Sequence, residues 1–250
     1  MAVVVKTYEV VMATCNGERF LDQQIESIIH QTILPQRLLI ADDCSLDQSL
    51  SCLRHWQNKS AVPIELVQTE EPKRLGSCRN FERLLMKSTA PYLMLSDQDD
   101  VWDLDKAERL LQQMELLEQR LGPDRPLLVH ADQRLIDAEG QAIHESFHRC
   151  QGLEPERAGL FEIGLQNVVT GCASLVNRSA VVHALPFPDA VVLHDWWLAL
   201  VVAQAGGLTY LPQQCSSYRQ HQANVVGARG WRRQFIKRLR DLDVRHPRLA

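Results

Sequence analysis

The sequence predicts an α/β domain, with a mostly parallel central sheet flanked by helices and a smaller mixed sheet after it. Three observations predict it. Short β-branched apolar runs alternate with stretches of helical periodicity through the first half of the chain. Polar, acid-rich residues follow those runs, as they do at the carboxyl edge of a parallel sheet. The 250 residues, 45% hydrophobic and 23% charged, suffice for a large buried core and exclude a disordered or fibrous chain.

Residues 8–13 (YEVVMA) read as a buried strand, broken by Asn16-Gly17. Leu21, Ile25, Ile28 and Ile29 then recur at helical spacing, which predicts a helix over 18–31 before Pro35 ends the unit. Residues 37–41 (RLLIA) form the second strand, 46–57 the second helix and 64–68 the third strand. Residues 80–87 lie in a third helix opened by Gly76-Ser77, and 92–96 (YLMLS) form the fourth strand. An acidic loop follows. A helix over 104–121 then carries Ala107, Leu111, Met114, Leu117 and Leu121 on one face. In the second half, 127–136 predict one long strand or two, and 141–160, with Gly152, Pro155 and Gly159, a variable loop. Residues 168–176 read as a strand broken by Gly171, and 178–185 as a short helix stopped by Pro186-Phe187-Pro188. A helix over 194–205 precedes strands at 208–211 and 214–219.

Composition narrows the function. Seven cysteines, odd in number and without a CxxC pair, argue against a disulfide framework or a structural zinc site and for a reducing compartment. The first residues carry no basic segment or small-residue cleavage site, and the longest apolar run, 196–203, is too short to span a bilayer. A cytoplasmic location is expected. The net charge of -4 is uneven: residues 228–250 hold eight basic and two acidic side chains, leaving the rest of the chain at -10. That acidic body argues against nucleic-acid binding, and an anionic substrate would need a metal ion or local donors. In the tail, Trp231, Phe235, Leu239 and Leu242 recur at helical spacing among Arg232, Arg233, Lys237 and Arg240. This is a basic amphipathic helix that either lies on an anionic membrane face or packs on the domain.

The acidic loop, SDQDDVW at 96–102, carries the strongest chemical signal. Asp97 and Asp99, at i and i+2 beyond a strand, suit Mg2+ or Mn2+ and the diphosphate such an ion holds. An EF-hand is excluded because Trp102 stands where that loop needs glycine. A helix cap accounts for Asp103 but not for four acids on a sheet edge. Asp42 and Asp43 sit at the second strand's end, where either can serve a following helix N-terminus. His194-Asp195-Trp196-Trp197 opens an apolar helix, and a lone acid there is placed for capping or for a raised pKa. Lys106 reads as a solvated helix residue and Cys172 as a small buried one, and Gly171 permits close backbone approach.

Taken together, VVMATCNGERFLDQQIESIIHQT, LLIADDCSLDQS and YLMLSDQDDVW resemble the family-2 glycosyltransferases of GT-A fold. VVTGCASLVN, LHDWWLAL and YRQHQANVVG are similar to that family's rhamnosyltransferase-like branch, so the likeness runs over roughly 8–227. It implies a donor-binding half at 1–125 and an acceptor-binding half at 126–227, with the tail at 228–250 outside the domain. Thr14 and Asn16 fall where the family holds the nucleotide. Asp42 falls where a carboxylate accepts the pyrimidine N3–H, a role that suits a pure acceptor. Arg74 or Arg79 falls where a cation meets the nucleotide or its phosphates. Asp97 and Asp99 match the DXD element: Asp99 ligates the metal, and Asp97 meets the ribose or a metal-bound water. Trp102 falls either at the wall of the donor sugar or, as an aromatic next to a helix start, in packing. His221 closes over the diphosphate or completes the metal shell, and Arg219 and Asn224 share its loop. Asp195 falls at the general base, with His194 its competitor. The function implied is inverting transfer of a sugar, from dTDP-L-rhamnose by the branch, onto a surface polysaccharide or lipopolysaccharide acceptor. A UDP-hexose donor and a non-catalytic nucleotide-sugar-binding module are the alternatives.

Overall fold

The computed structural model describes residues 7–67 and 73–221. Nine strands form one sheet among those residues, in the order β3-β2-β1-β4-β8-β6-β9-β5, with β7 beside β6. β1 (Tyr8–Thr14), β2 (Leu38–Asp42), β3 (Ile64–Leu66) and β4 (Tyr92–Ser96) run parallel. β8 (Ser174–Asn177) joins β4 antiparallel, and β6 (Leu128–Ile136) joins β8 antiparallel. β9 (Leu208–Arg219) is parallel to β6, and β7 (Ala142–His144) closes antiparallel on it. The mixed strands therefore continue the parallel sheet.

Alternation sorts the strands' side chains between two cores. Tyr8, Val10, Met12, Leu38 and Ile40 face α1 (Leu21–Ile29), α2 (Ser49–Lys59) and α4 (Lys106–Leu121). Val11, Leu39 and Ala41 face α3 (Gly76–Lys87), α6 (Leu160–Leu165), α7 (Arg178–Ala184) and α8 (His194–Gln204). A strand buried on both faces needs apolar residues at every position, so its sequence reads as a continuous hydrophobic run.

Three expectations change. Residues 101 and 102, read as part of a loop, form β5 (Val101–Trp102), which pairs with Ser217 and Ser216 of β9. The stretch 141–160 is ordered into β7, α5 (Phe147–Gln151) and a 3-10 turn at Pro155–Arg157, with α6 starting at Leu160. The span 168–173 is not strand: Gly171–Ala173 form a 3-10 turn before β8. The basic tail and Asn224 lie outside the described residues.

Candidate active site at the carboxyl edge

Register puts the expected residues on one edge. Thr14 is level with Asp42, and Met12 with Ser96, so β1, β2 and β4 end side by side. Asn16 and Cys44 have left-handed φ values of 51° and 57°. Asparagine tolerates that conformation, whereas cysteine does so only under strain, a feature that clusters at working sites.

The nucleotide-side residues are held from several directions. Asp42 accepts from the Ser45 amide at 2.9 Å and its hydroxyl at 2.5 Å. Asn16 accepts from the Leu46 amide at 2.8 Å. Asp43 accepts from the amides of Leu75 and Gly76, at 2.6 and 3.0 Å, so it serves the N-terminus of α3 and not the helix that follows it in sequence. Thr14 is buried, and its hydroxyl donates to Gln98 Oε1 at 2.6 Å. Its place is therefore beneath the edge, where it locks the acidic loop to β1 and cannot face a nucleotide. A Cβ on Gly17 would collide with that same Gln98 amide, which accounts for the glycine.

Two expected contacts move. Arg79 donates to Glu82 at 2.7 Å and to the Phe187 and Pro188 carbonyls at 3.0 and 3.1 Å. Its guanidinium braces the loop before α8 and is spent there. Arg83, one turn further on, keeps Nε and Nη1 buried without a hydrogen-bond partner, and its charge acts on Asp43, Cys44 and Asp42. Trp102 is 4% exposed and packs in the core beneath Lys106, so it cannot wall an open sugar site. The start of α4 is also capped differently. Asp103 pairs with Arg134, and Gln31 Oε1 accepts from the Ala107 amide at 2.9 Å.

The acids form a tight, poorly solvated group. Burial, then Asp99 and Asp195, push the Asp97 carboxyl up to about 7. Burial raises Asp99 as well, opposed by His221, whose Nε2 lies 2.7 Å from Asp99 Oδ2. Asp100 is raised far more, by burial and by its two acidic neighbours, and one of its oxygens has no hydrogen-bond partner. Asp97, Asp100 and Cys172 each offer a ligand atom within 4.8 Å of the others. Clustered carboxylate oxygens with an orphaned acceptor fit a hard divalent cation, and the thiol is the least suited donor. Asp99 lies outside that cluster and is hydrogen-bonded to His221. Arg219 clasps the loop: its Nε donates to the Asp99 carbonyl at 2.8 Å and its amide to Asp100 at 3.2 Å.

Lys106 overturns its solvated reading. It is fully buried, donates to the Cys172 carbonyl at 2.5 Å and lies 3.7 Å over the Trp102 ring. Burial draws its pKa down to about 8. The signal was present in the sequence, because Lys106, Leu110 and Met114 fall four residues apart on the buried stripe of α4.

Across the edge, α8 presents Asp195. The Gly171 and Trp196 amides donate to it at 3.2 and 2.7 Å, and burial raises its carboxyl to about 6 against those two bonds. Trp196 and Trp197 anchor the helix start through the Ile163 and Ala184 carbonyls, at 2.6 and 2.9 Å. His194 stacks on Phe81 at 3.8 Å, and burial holds it down at about 3, so it stays neutral. A Cβ on Gly171 would lie 2.8 Å from His194 Nε2. The glycine thus makes room for the histidine ring, not for a ligand. Cys172 is buried, and burial raises its thiol far above its ordinary range, which leaves no nucleophile.

Residues 9–119 match the family model of glycosyl transferase family 2. Over 228 residues the chain is 25% identical to the dTDP-rhamnosyl transferase RfbG of Shigella flexneri, covering 87% of this chain and 74% of that one. Among solved structures, S. aureus TarS in complex with UDP-GlcNAc superposes with a TM-score of 0.64 at 15% identity, over 87% of this chain. The chain spans 60% of that TarS chain. Mannosyltransferase PcManGT from Pyrobaculum calidifontis, in complex with GDP-Man and Mn2+, gives a TM-score of 0.66 at 16% identity, over 99% of this chain and 67% of that one. Those likenesses show the fold, which is GT-A. The family match and the similarity to RfbG support a family-2 glycosyltransferase, rhamnosyltransferase-like in sequence.

Proposed function

We propose that the protein is an inverting, metal-dependent glycosyltransferase that moves L-rhamnose from dTDP-L-rhamnose to a hydroxyl of a cell-surface polysaccharide or lipopolysaccharide acceptor. The observation that carries the reading is the placing of Asp195 at the start of α8, a partly exposed carboxylate held by the Gly171 and Trp196 amides, whose charge acts on Asp97 and whose pKa burial raises to about 6. Such a group accepts a proton near neutrality, as a general base must. Asp195 takes the acceptor hydroxyl proton while that oxygen attacks the anomeric carbon from the face opposite the leaving diphosphate. Asp97 and Asp99, with Asp100 and His221 beside them, hold Mg2+ or Mn2+. When bound, the cation supplies positive charge for the departing nucleoside diphosphate. Asp42 accepts the pyrimidine N3–H and Asn16 flanks it. Residues 1–125 serve the donor and 126–227 the acceptor. Similarity to RfbG supports the rhamnosyl donor. The TarS likeness favours keeping a UDP-sugar donor as the second reading.

Asp195→Asn, assayed with Mn2+, is expected to bind donor normally and to lose turnover by about 10^2- to 10^4-fold. Full turnover in that variant refutes the assignment. Calorimetry with dTDP-, UDP- and GDP-sugars assigns the donor, and binding of GDP-sugars alone would exclude Asp42 as a pyrimidine reader. Among the described residues no helix is long and apolar enough to cross a membrane. Peripheral attachment through 228–250 is tested by flotation with anionic liposomes at low salt.

A further inference from the structure

We propose that Lys106 is a positioning residue that ties the acidic loop to the turn holding the general base; the inference rests on the Asp195 reading above. Its ammonium donates at 2.5 Å to the Cys172 carbonyl, in the middle of the Gly171–Ala173 turn. The same turn begins with the Gly171 amide that donates to Asp195 at 3.2 Å. One buried cation therefore holds the 172–173 peptide, in the same 3-10 turn and two peptides on from the base's own donor.

The other end of the link is the donor side. Lys106 opens α4, the first helix after the acidic loop, and its ammonium feels the charge of Asp100 and Asp103. The Trp102 face closes over it at 3.7 Å, which removes competing water from the ammonium. A charged donor in such a dry setting is strong and directional, and losing it leaves the Cys172 carbonyl buried without that bond. The turn has further supports that spare it from collapse. Ser174 donates to the Gly171 carbonyl at 2.7 Å, and Gln133 Nε2 reaches Cys172 Sγ at 3.4 Å. Removing Lys106 should thus leave the turn present but loose. Side chains that orient a reacting group by a few tenths of an ångström act on turnover more than on binding. Lys106 touches neither donor nor acceptor in this account.

The test is a double-mutant cycle of Lys106→Met with Asp195→Asn, with kcat and both KM values measured for each variant. Lys106→Met is expected to lower kcat by about 10-fold or more while donor and acceptor KM stay within about 2-fold. In the Asp195→Asn background the same change is expected to cost nothing further, because the base it positions is gone. A role in general stability would instead add its loss in both backgrounds. Should Lys106→Met fail to fold, Lys106→Arg, which keeps the charge but misplaces the donor, is read in the same cycle. The link is overturned by unchanged kcat, by a donor KM that rises at constant kcat, or by additive losses. If Asp195→Asn alone keeps full turnover, the base assignment falls and takes the link with it. If Asp195→Asn is dead and Lys106→Met is fully active, only the link falls.

Discussion

The first region of the molecule, up to α4, and the second, from β6 onward, bury different chemistry in the same sheet. β1, β2 and β4 bury chiefly aliphatic side chains on both faces. β6 buries His130, Asp132 and Gln133, and β9 buries Ser216 and Arg219. In the first region polar groups collect at the strand ends and just beyond them, at Asp42, Asp97 and Asp99. In the second they lie within the strands, most of them tied to a partner, such as Gln133 to Ser216 at 3.0 Å, while both ring nitrogens of His130 are buried without one. An apolar sheet can support a cluster of unneutralised acids at its rim. A sheet threaded with hydrogen-bonded polar side chains holds the Gly171 turn and the start of α8 in place.

That contrast can be broken at either end. The largest effect is expected on the donor side: Asp97→Ala should abolish cation-dependent nucleotide-sugar binding in calorimetry and lower turnover by about 10^3-fold. Donor binding equal to wild type in that variant would erase the division of labour. The pH profile sharpens the acceptor side. Asp195, raised to about 6, is protonated below that value and cannot accept a proton, so kcat should climb as pH rises through about 6. His194, held at about 3, is neutral throughout and contributes no limb. A limb that vanishes in His194→Gln would transfer the role to the histidine. The smallest effects are on stability. Arg219→Met should cost about 3 kcal/mol in urea denaturation, since it removes the guanidinium that donates to the Asp99 and Ala138 carbonyls and leaves the Asp137 carbonyl only the Gly140 amide. Asp43→Ala should cost about 1 kcal/mol through the lost cap on α3. A larger loss for Asp43 than for Arg219 would mean that the nucleotide corner, not the clasp, holds this edge.

Legibility follows the same contrast. The strands of the first region could be read because burial on both faces turns them into apolar runs. The candidate acids could be read because they follow those runs. Lys106 was legible too, but only to a reading that counts a lysine on an apolar stripe as buried. Trp102 takes the packing alternative and Arg79 turns away from the edge for one reason: motif position says where a side chain sits in the chain, not which way it turns. Trp102 turns into the core because β5 pairs with β9, and that pairing joins residues more than a hundred positions apart. The 141–160 stretch looked like loop because its elements are short and its glycines and proline mark ends, not absence, of structure. Asp43 reaches α3 across some thirty residues, a distance over which local capping rules say nothing.

The join between β4 and β8 has one more consequence. Leu93 faces Val176 and Met94 faces Leu175 across it, so the strand that leads to the acids is laced to the strand that leaves the Gly171 turn. Among the described residues one continuous sheet joins the two regions. The spacing between the acids that follow β4 and Asp195, which the Gly171 amide holds, is therefore set when the chain folds.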